Sequence, residues 1–137
     1  MKLVGWVALL FMALIACTSN GVGPVTPIPN SLVARWVLTD TQSAGIGPPG
    51  IWAVASPQGQ WMELSGNGSI AGTFFSAATG VQVLDSITLK VTDPSQQAGF
   101  RLFNYHIDTL NRSLFFYKRP ANGGYCYEGC GTYKFIR

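Results

Sequence analysis

The chain has 137 residues, nine of them basic and six acidic, a formal net charge of +3 and a 47% hydrophobic share. Its charges are scattered, with no basic run beyond Lys118-Arg119, which excludes the clustered cationic face that nucleic-acid binding needs. A 12% aromatic share argues for strands and against disorder.

The chain opens with Lys2 and an almost uninterrupted apolar run from Leu3 to Ala16. One cation ahead of a short apolar run is the plan of a secretory signal. The run falls short of the about 20 apolar residues that span a bilayer. It ends in Leu14-Ile15-Ala16-Cys17, which resembles the bacterial lipobox. The resemblance implies that residues 1–16 are a lipoprotein signal peptide and that cleavage falls before Cys17. It also implies diacylglycerol on the Cys17 sulfur and a further acyl chain, of the palmitate kind, on the new amino terminus. At about 0.8 kcal/mol per buried CH₂, two or three chains anchor a folded domain to a membrane that it does not span. Thr18 follows the cysteine where an Asp would signal retention at the inner membrane, so the same resemblance implies the outer membrane of a bacterial cell envelope.

Residues 17–30 carry Pro24, Pro27 and Pro29 among Gly, Ser, Thr and Asn and read as a flexible, partly extended tether. Residues 31–137 are enough for one core and too few for two domains. The stretch from Val33 to Asp40 sets Ala34, Trp36 and Leu38 on one face and Val33, Arg35 and Val37 on the other. Gly59 to Ser76 reads as a hairpin, its Asn67-Gly68 pair suited to a tight turn because both residues tolerate positive φ. Asp85 to Asp93 alternates Ile87, Leu89 and Val91 with Thr88, Lys90 and Thr92, which gives one buried and one wet face. In Gly99 to Asp108, Phe103, Tyr105 and Ile107 oppose Leu102, Asn104, His106 and Asp108. Ser113–Arg119 and Thr132–Arg137 complete the set. Short strands punctuated by Gly, Asn and Pro, with no sustained helical period, predict an all-β fold: a small antiparallel meander barrel.

An early strand carrying Ala34-Arg35-Trp36, a meander of hairpins, Glu128-Gly129-Cys130 and a last strand ending in Tyr133-Lys134-Phe135-Ile136-Arg137 together resemble the small lipocalin-like lipoproteins of bacteria. Their signature is Gly-x-Trp; here Ala34 stands at the Gly. The resemblance implies a compact β-barrel in which a basic residue late in the chain, Arg119 or Arg137, stacks across Trp36. It implies either an apolar ligand held in the barrel or a barrel filled by its own side chains that binds partners or inhibits enzymes.

The cysteine chemistry follows from the compartment. With Cys17 acylated, Cys126 and Cys130 are two thiols in an oxidising space, where disulfides persist. Closing so short a loop contributes about 2 kcal/mol, enough to pin a turn. A metal site needs about four ligands, and the chain has one histidine. Redox dithiols read CxxC, and this pair reads CxxxC. Tyr125, Tyr127 and Glu128 sit on the stapled loop and are the candidate recognition residues, since a rigid loop loses less entropy on binding; the loop reads equally as a lid closing one barrel end. Gly45 to Gly50 matches G-x-G-x-x-G without the strand before it or the helix after it that a dinucleotide site requires. His106 and Asp108 lie two apart on one strand and so face the same way, without a G-x-S-x-G elbow nearby. Trp52, Trp61, Phe74, Phe75 and Phe115 to Tyr117 are the aromatic stock. They are expected mainly in the core, since aromatics dominate burial; the alternative, from the pairs at 74–75 and 115–116 that put large side chains on both faces of a strand, is that some are exposed in a patch of the kind that marks an interaction site. The function expected is a non-enzymatic binding or structural role at the envelope, with no cofactor, no metal and no nucleic acid. The alternatives are a carrier of small apolar molecules in the barrel mouth and a weak hydrolase using His106.

Overall fold

Ala34, Trp36 and Leu38 alternate with Arg35 and Val37 along β1 (Ala34–Ser43), and the three apolar side chains turn inward. A strand with one apolar face must bury it, and β1 does so as the central stave of a barrel. The structure is a computed structural model that describes residues 26–43, 50–124, 126 and 130–137. After β1 come β2 (Ala53–Val54), β3 (Trp61–Leu64), β4 (Ile70–Gly72), β5 (Gly80–Val83), β6 (Thr88–Thr92), β7 (Phe100–Asp108), β8 (Ser113–Arg119) and β9 (Gly131–Ile136), with no helix among the described residues.

All pairings are antiparallel, in the order β4-β3-β1-β9-β8-β7-β6-β5. β2 and β3 share one flank of β1, β2 pairing at Asp40 and Thr41 and β3 at Ala34 to Val37. They act as one interrupted stave. β9 takes the other flank, Val37 opposite Ile136 and Ser43 opposite Gly131. Thr39 is the extra residue of a bulge there, and its hydroxyl donates to the Lys134 carbonyl at 3.2 Å. Bulges bend strands and serve barrel closure. Pairing of the first strand with the last makes the meander a nearly closed barrel; the gap falls between β4 and β5. One backbone bond reaches across it, from Val81 N–H to the Gly68 carbonyl at 2.8 Å.

The barrel is filled by its own side chains. Trp36, Phe103, Phe116 and Phe135 are the largest fully buried residues, with Met62, Leu64, Leu89, Val91 and Leu114 around them. Phe103 stacks on Phe116 at 5.2 Å and Phe116 meets Phe135 edge-on at 5.4 Å. At the end where β1 begins, here the lower end, the turn through Pro29 to Val33 crosses the barrel. Leu32 is buried there and accepts the Trp36 indole N–H at 2.9 Å. Ile28 belongs to the same core, so the last residues of the segment read as tether are part of the domain's packing. The upper end is stoppered by Phe74 and Phe75.

Three local expectations are corrected. Phe74 and Phe75 lie beyond β4, in the turn leading to β5, and both rings enter the core: Phe74 meets Phe135 at 5.0 Å and Phe75 meets Phe103 at 5.6 Å. Gly72 permits that turn, with φ 130 and a position where a Cβ would strike the Trp61 carbonyl. Ile87 stands outside β6 on the β5–β6 turn, 55% exposed, because Asp85 takes its backbone N–H at 2.9 Å and ends the alternation there. At Asn67-Gly68 only Gly68 has positive φ, at 83°. Ser65 accepts the Gly68 N–H at 3.0 Å and pairs with Ser69, so the loop is a type I turn with a following left-handed residue rather than a two-residue turn. The Asn67 side chain caps it by accepting from Ser69 N–H.

The β6–β7 turn is locked by a buried acid. Asp93 is 1% exposed. It accepts from the Ser95 backbone at 3.0 Å and the Ser95 hydroxyl at 2.5 Å, and its second oxygen meets Arg101 Nε at 2.7 Å. Chiefly the Ser95 hydroxyl, then the Ser95 backbone and Arg101, hold its pKa below the ordinary carboxylate range against the opposing effect of burial. A depressed folded pKa stabilises the fold above the unfolded carboxylate's pKa, and that contribution disappears as pH falls through the folded value. Thermal unfolding as a function of pH therefore shows stability falling in acid, below the usual carboxylate range. In Asp93→Asn that acid limb is shallower, and stability at neutral pH is lower by roughly 1–3 kcal/mol because a buried charge-assisted network is broken.

Candidate functional site

The longest loop at the upper end joins β8 to β9 and carries Cys126 and Cys130. Their Cα atoms are 5.9 Å apart, and the two sulfurs face each other at bonding distance. Arg119 organises the loop's base. One guanidinium nitrogen donates to the Gly123 carbonyl at 2.8 Å and the other to Asn104 Oδ1 on β7 at 3.3 Å. Pro120 accepts from the Gly123 N–H at 2.9 Å, and Asn122 Oδ1 from the Gly124 N–H at 3.0 Å. A hollow of about 400 Å³ opens between this loop and the barrel wall, bounded by Asn104, Tyr117, Arg119, Gly123 and Cys126. Tyr125, Tyr127 and Glu128 lie outside the described residues, as do Cys17, the signal segment and the Gly45–Pro49 stretch.

Below the hollow the outer wall is aromatic. Leu114 and Phe116 point inward, so their neighbours on β8, Phe115 and Tyr117, point outward. Tyr117 is 42% exposed and Trp52 is 40% exposed. Trp52 precedes β2 and comes edge-on to Phe115 with 6.1 Å between ring centres, while His106 tilts against the other side of Phe115 at 6.2 Å. Ile51 and Val54 add exposed aliphatic surface beside Trp52. The outward alternation of β8 was readable in the sequence. The Trp52–Phe115 contact was not, because it joins elements with β1 and β9 between them. Trp61 also faces outward, under the Arg35 guanidinium at 4.1 Å, so neither Trp52 nor Trp61 belongs to the core.

His106 and Asp108 share a strand face but not a task. Asp108 Oδ1 accepts the N–H groups of Leu110 and Asn111, both at 3.1 Å, and its Oδ2 accepts the Asn111 amide at 2.7 Å. The Asn111 side chain and these turn amides hold its pKa down. Ser113, across from it, donates its hydroxyl to the Asn111 carbonyl. Among the described residues no hydrogen bond joins His106 to a carboxylate or to a serine, and no group of three or more His, Cys, Asp or Glu is placed to hold a metal.

At the lower end, the Arg137 guanidinium lies 5.3 Å from the Trp36 ring centre, while Arg119 is at the other end of the barrel. Of the two basic residues that the resemblance proposed, Arg137 stacks on the Trp. Leu32 beneath the indole and Arg137 over it close this end. No family model matches the chain, and no curated protein or solved structure shows significant similarity to it. The geometry itself defines the class: a small all-β antiparallel meander barrel, nearly closed, of lipocalin-like type.

The short stapled loop adds one local constraint. Cys126→Ser with Cys130→Ser lowers stability by about 2 kcal/mol on the chain-entropy estimate and leaves the far-ultraviolet β signal intact. Chemical denaturation of the oxidised protein, the reduced protein and the double variant measures it.

Proposed function

We propose that this chain is a lipid-anchored protein of the bacterial cell envelope, held at the outer membrane through Cys17, with a non-enzymatic role. Its outer wall at Trp52, Phe115 and Tyr117, together with the adjoining Cys126–Cys130 loop, binds a protein partner. The observation that carries this reading is a row of aromatic rings left half in solvent by a barrel whose interior is already full. Exposed Trp and Tyr give large, rigid contact area at small entropic cost, which is why binding energy concentrates on them. Clustered exposed apolar surface on a soluble face marks interaction. The hollow between wall and loop offers Asn104 and Arg119 as polar neighbours to orient a partner's backbone or acidic side chain.

The filled interior favours this reading over a carrier of small apolar molecules, which needs an unoccupied barrel mouth. A hydrolase using His106 is the less favoured reading, since Asp108 is committed to its own turn.

The test is site-specific photocrosslinking in intact cells of the full chain, with a photoreactive phenylalanine analogue at Tyr117 or, as a control, at the exposed Ala71 on β4, across the barrel. The expected outcome is a discrete protein adduct from position 117 only, lost when Trp52→Ser is added. Trp52→Ser itself lowers stability by roughly 0.5–1.5 kcal/mol, the loss of its edge contact with Phe115, and leaves the barrel folded. No adduct at 117, or the same adduct from 71, rejects the proposal. The mass of the mature amino terminus tests the anchor separately: acylated Cys17 supports it and a retained Met1–Ala16 segment rejects it.

A further inference from the structure

The large apolar side chains that the described residues leave exposed fall into two groups. One is the wall patch of Ile51, Trp52, Val54 and Tyr117. The other is Val33, Leu84, Ile87, Leu110 and Ile136. The strand directions place every member of the second group at the lower end. Val33 immediately precedes β1, Leu84 and Ile87 flank the β5–β6 turn, Leu110 is in the β7–β8 turn, and Ile136 ends β9. In the strand order these elements are consecutive around the barrel, from β5 through β9 to β1. The remaining turn of this end, Ser65 to Ser69, is polar. Of the upper-end loops, Asp93 to Gly99 and Pro120 to Gly124 expose no large apolar side chain, while the segment entering β2 carries Ile51 and Trp52 of the wall patch. The tips of the second group therefore form one arc on one end of the barrel.

That arc is built to project. Leu110 is 93% exposed, held at its apex by the two backbone N–H groups that Asp108 accepts. Asp85 likewise caps the turn carrying Ile87. Both carboxylates of the arc are thus turned back onto their own backbones. The cations are placed differently. Arg112 is exposed, with φ 50, a backbone conformation that glycine or asparagine adopts more easily, so a cation is kept on this tip at some conformational cost. Arg137 stands at the same rim over Trp36. Aliphatic tips with arginines beside them match the acyl–headgroup boundary of a bilayer, where apolar groups bury and cations meet phosphates.

The chain outside the structure points the same way. The first described residues, Thr26 to Ile28, run beside the Gly66–Gly68 turn and the start of β5, and Ile28 and Leu32 belong to the core at the lower end. Ile28 is eleven residues from Cys17, so even a fully extended chain spans at most about 40 Å between them, which keeps this end of the barrel within reach of an acylated Cys17. We infer that the lower end is a membrane-docking face: Leu84, Ile87 and Leu110 enter the acyl–headgroup boundary, Arg112 and Arg137 contact lipid phosphates, and the aromatic wall is held upright, away from the bilayer. The inference rests on the lipid-anchor reading for what brings the protein to the membrane, and adds the orientation it takes there.

The test uses the full chain, purified from cells and reconstituted into vesicles of phosphatidylethanolamine and phosphatidylglycerol. Leu110→Cys and, as a control on the opposite end, Gln97→Cys are labelled with an environment-sensitive fluorophore, and the amino-terminal mass is recorded for each. The expected result is a blue shift and quenching by headgroup-region lipid quenchers at 110 and neither at 97. The shift at 110 is lost when Ile87→Ser and Leu84→Ser are added, while the melting temperature is retained. A protein that is acylated and floats with the vesicles, yet whose label at 110 stays as water-exposed as at 97, overturns the docking face and leaves the anchor standing. An unacylated protein whose 110 label still shifts on vesicles overturns the anchor and supports the docking face. If the protein is unacylated and shows no shift, both fall.

Discussion

Pairing of β1 with β9 is the constraint on which the rest of this molecule depends. A meander of hairpins is local and forms an open sheet; only a contact between its two ends makes it a barrel. Here Val37 meets Ile136 and Ser43 meets Gly131, with the Thr39 bulge supplying the bend. Joining such distant segments costs loop-closure entropy before any contact repays it. The return is an apolar face enclosed except at the β4–β5 gap, and two strand edges removed that would otherwise invite aggregation. Trp36 and Leu38 on β1 and Phe135 on β9 are buried together because of that pairing. The lower end inherits its order from it as well, since Arg137 is carried across Trp36 by the last residues of β9.

The filled interior follows from size. Few staves and short strands enclose a volume that four large aromatic side chains and a handful of aliphatic ones occupy, and Phe74 and Phe75 fold in from the β4–β5 connection where the sheet leaves its gap. On the function proposed, recognition falls to the exterior. The structure offers two exterior surfaces of different chemistry: a wall of half-exposed rings beside a stapled loop, and an end whose tips are aliphatic and whose carboxylates cap their own turns. Rings with polar edges suit a protein partner, whereas aliphatic tips suit acyl chains. The two surfaces lie on different parts of the barrel, so both can be engaged together.

Much of this was legible in the residues, for identifiable reasons. The inward faces of β1, β7 and β8 follow from period-two alternation, and the structure keeps them at Trp36, Phe103 and Phe116. What alternation cannot reveal is where a strand stops. Ile87 continued the pattern of β6 and yet stands on a turn, because one Asp85 carboxylate took its N–H. Phe74 and Phe75 read as the two faces of a strand and are both interior, because Gly72 turns the chain inward just before them. Ile28 was hidden among prolines, and only tertiary contact makes it core. Arg119 and Arg137 were equivalent as partners of Trp36 in sequence; strand direction places them at opposite ends. The Trp52–Phe115 contact crosses intervening strands and left no periodic trace. The buried Asp93 lock had a local signal in Asp93-Pro94-Ser95, a turn-forming run whose partner Arg101 lies on the next strand.

Native-state hydrogen exchange, resolved by residue, tests the central claim most directly. If the terminal strands close the barrel, amides on the paired flanks of β1 and β9 exchange only through global unfolding, and those of β4 and β5 that face the gap exchange sooner by local opening. Amides of β1 and β9 that exchange as fast as those bordering the gap would mean that the ends are not joined in solution. The filled, outward-binding barrel described here would then be wrong.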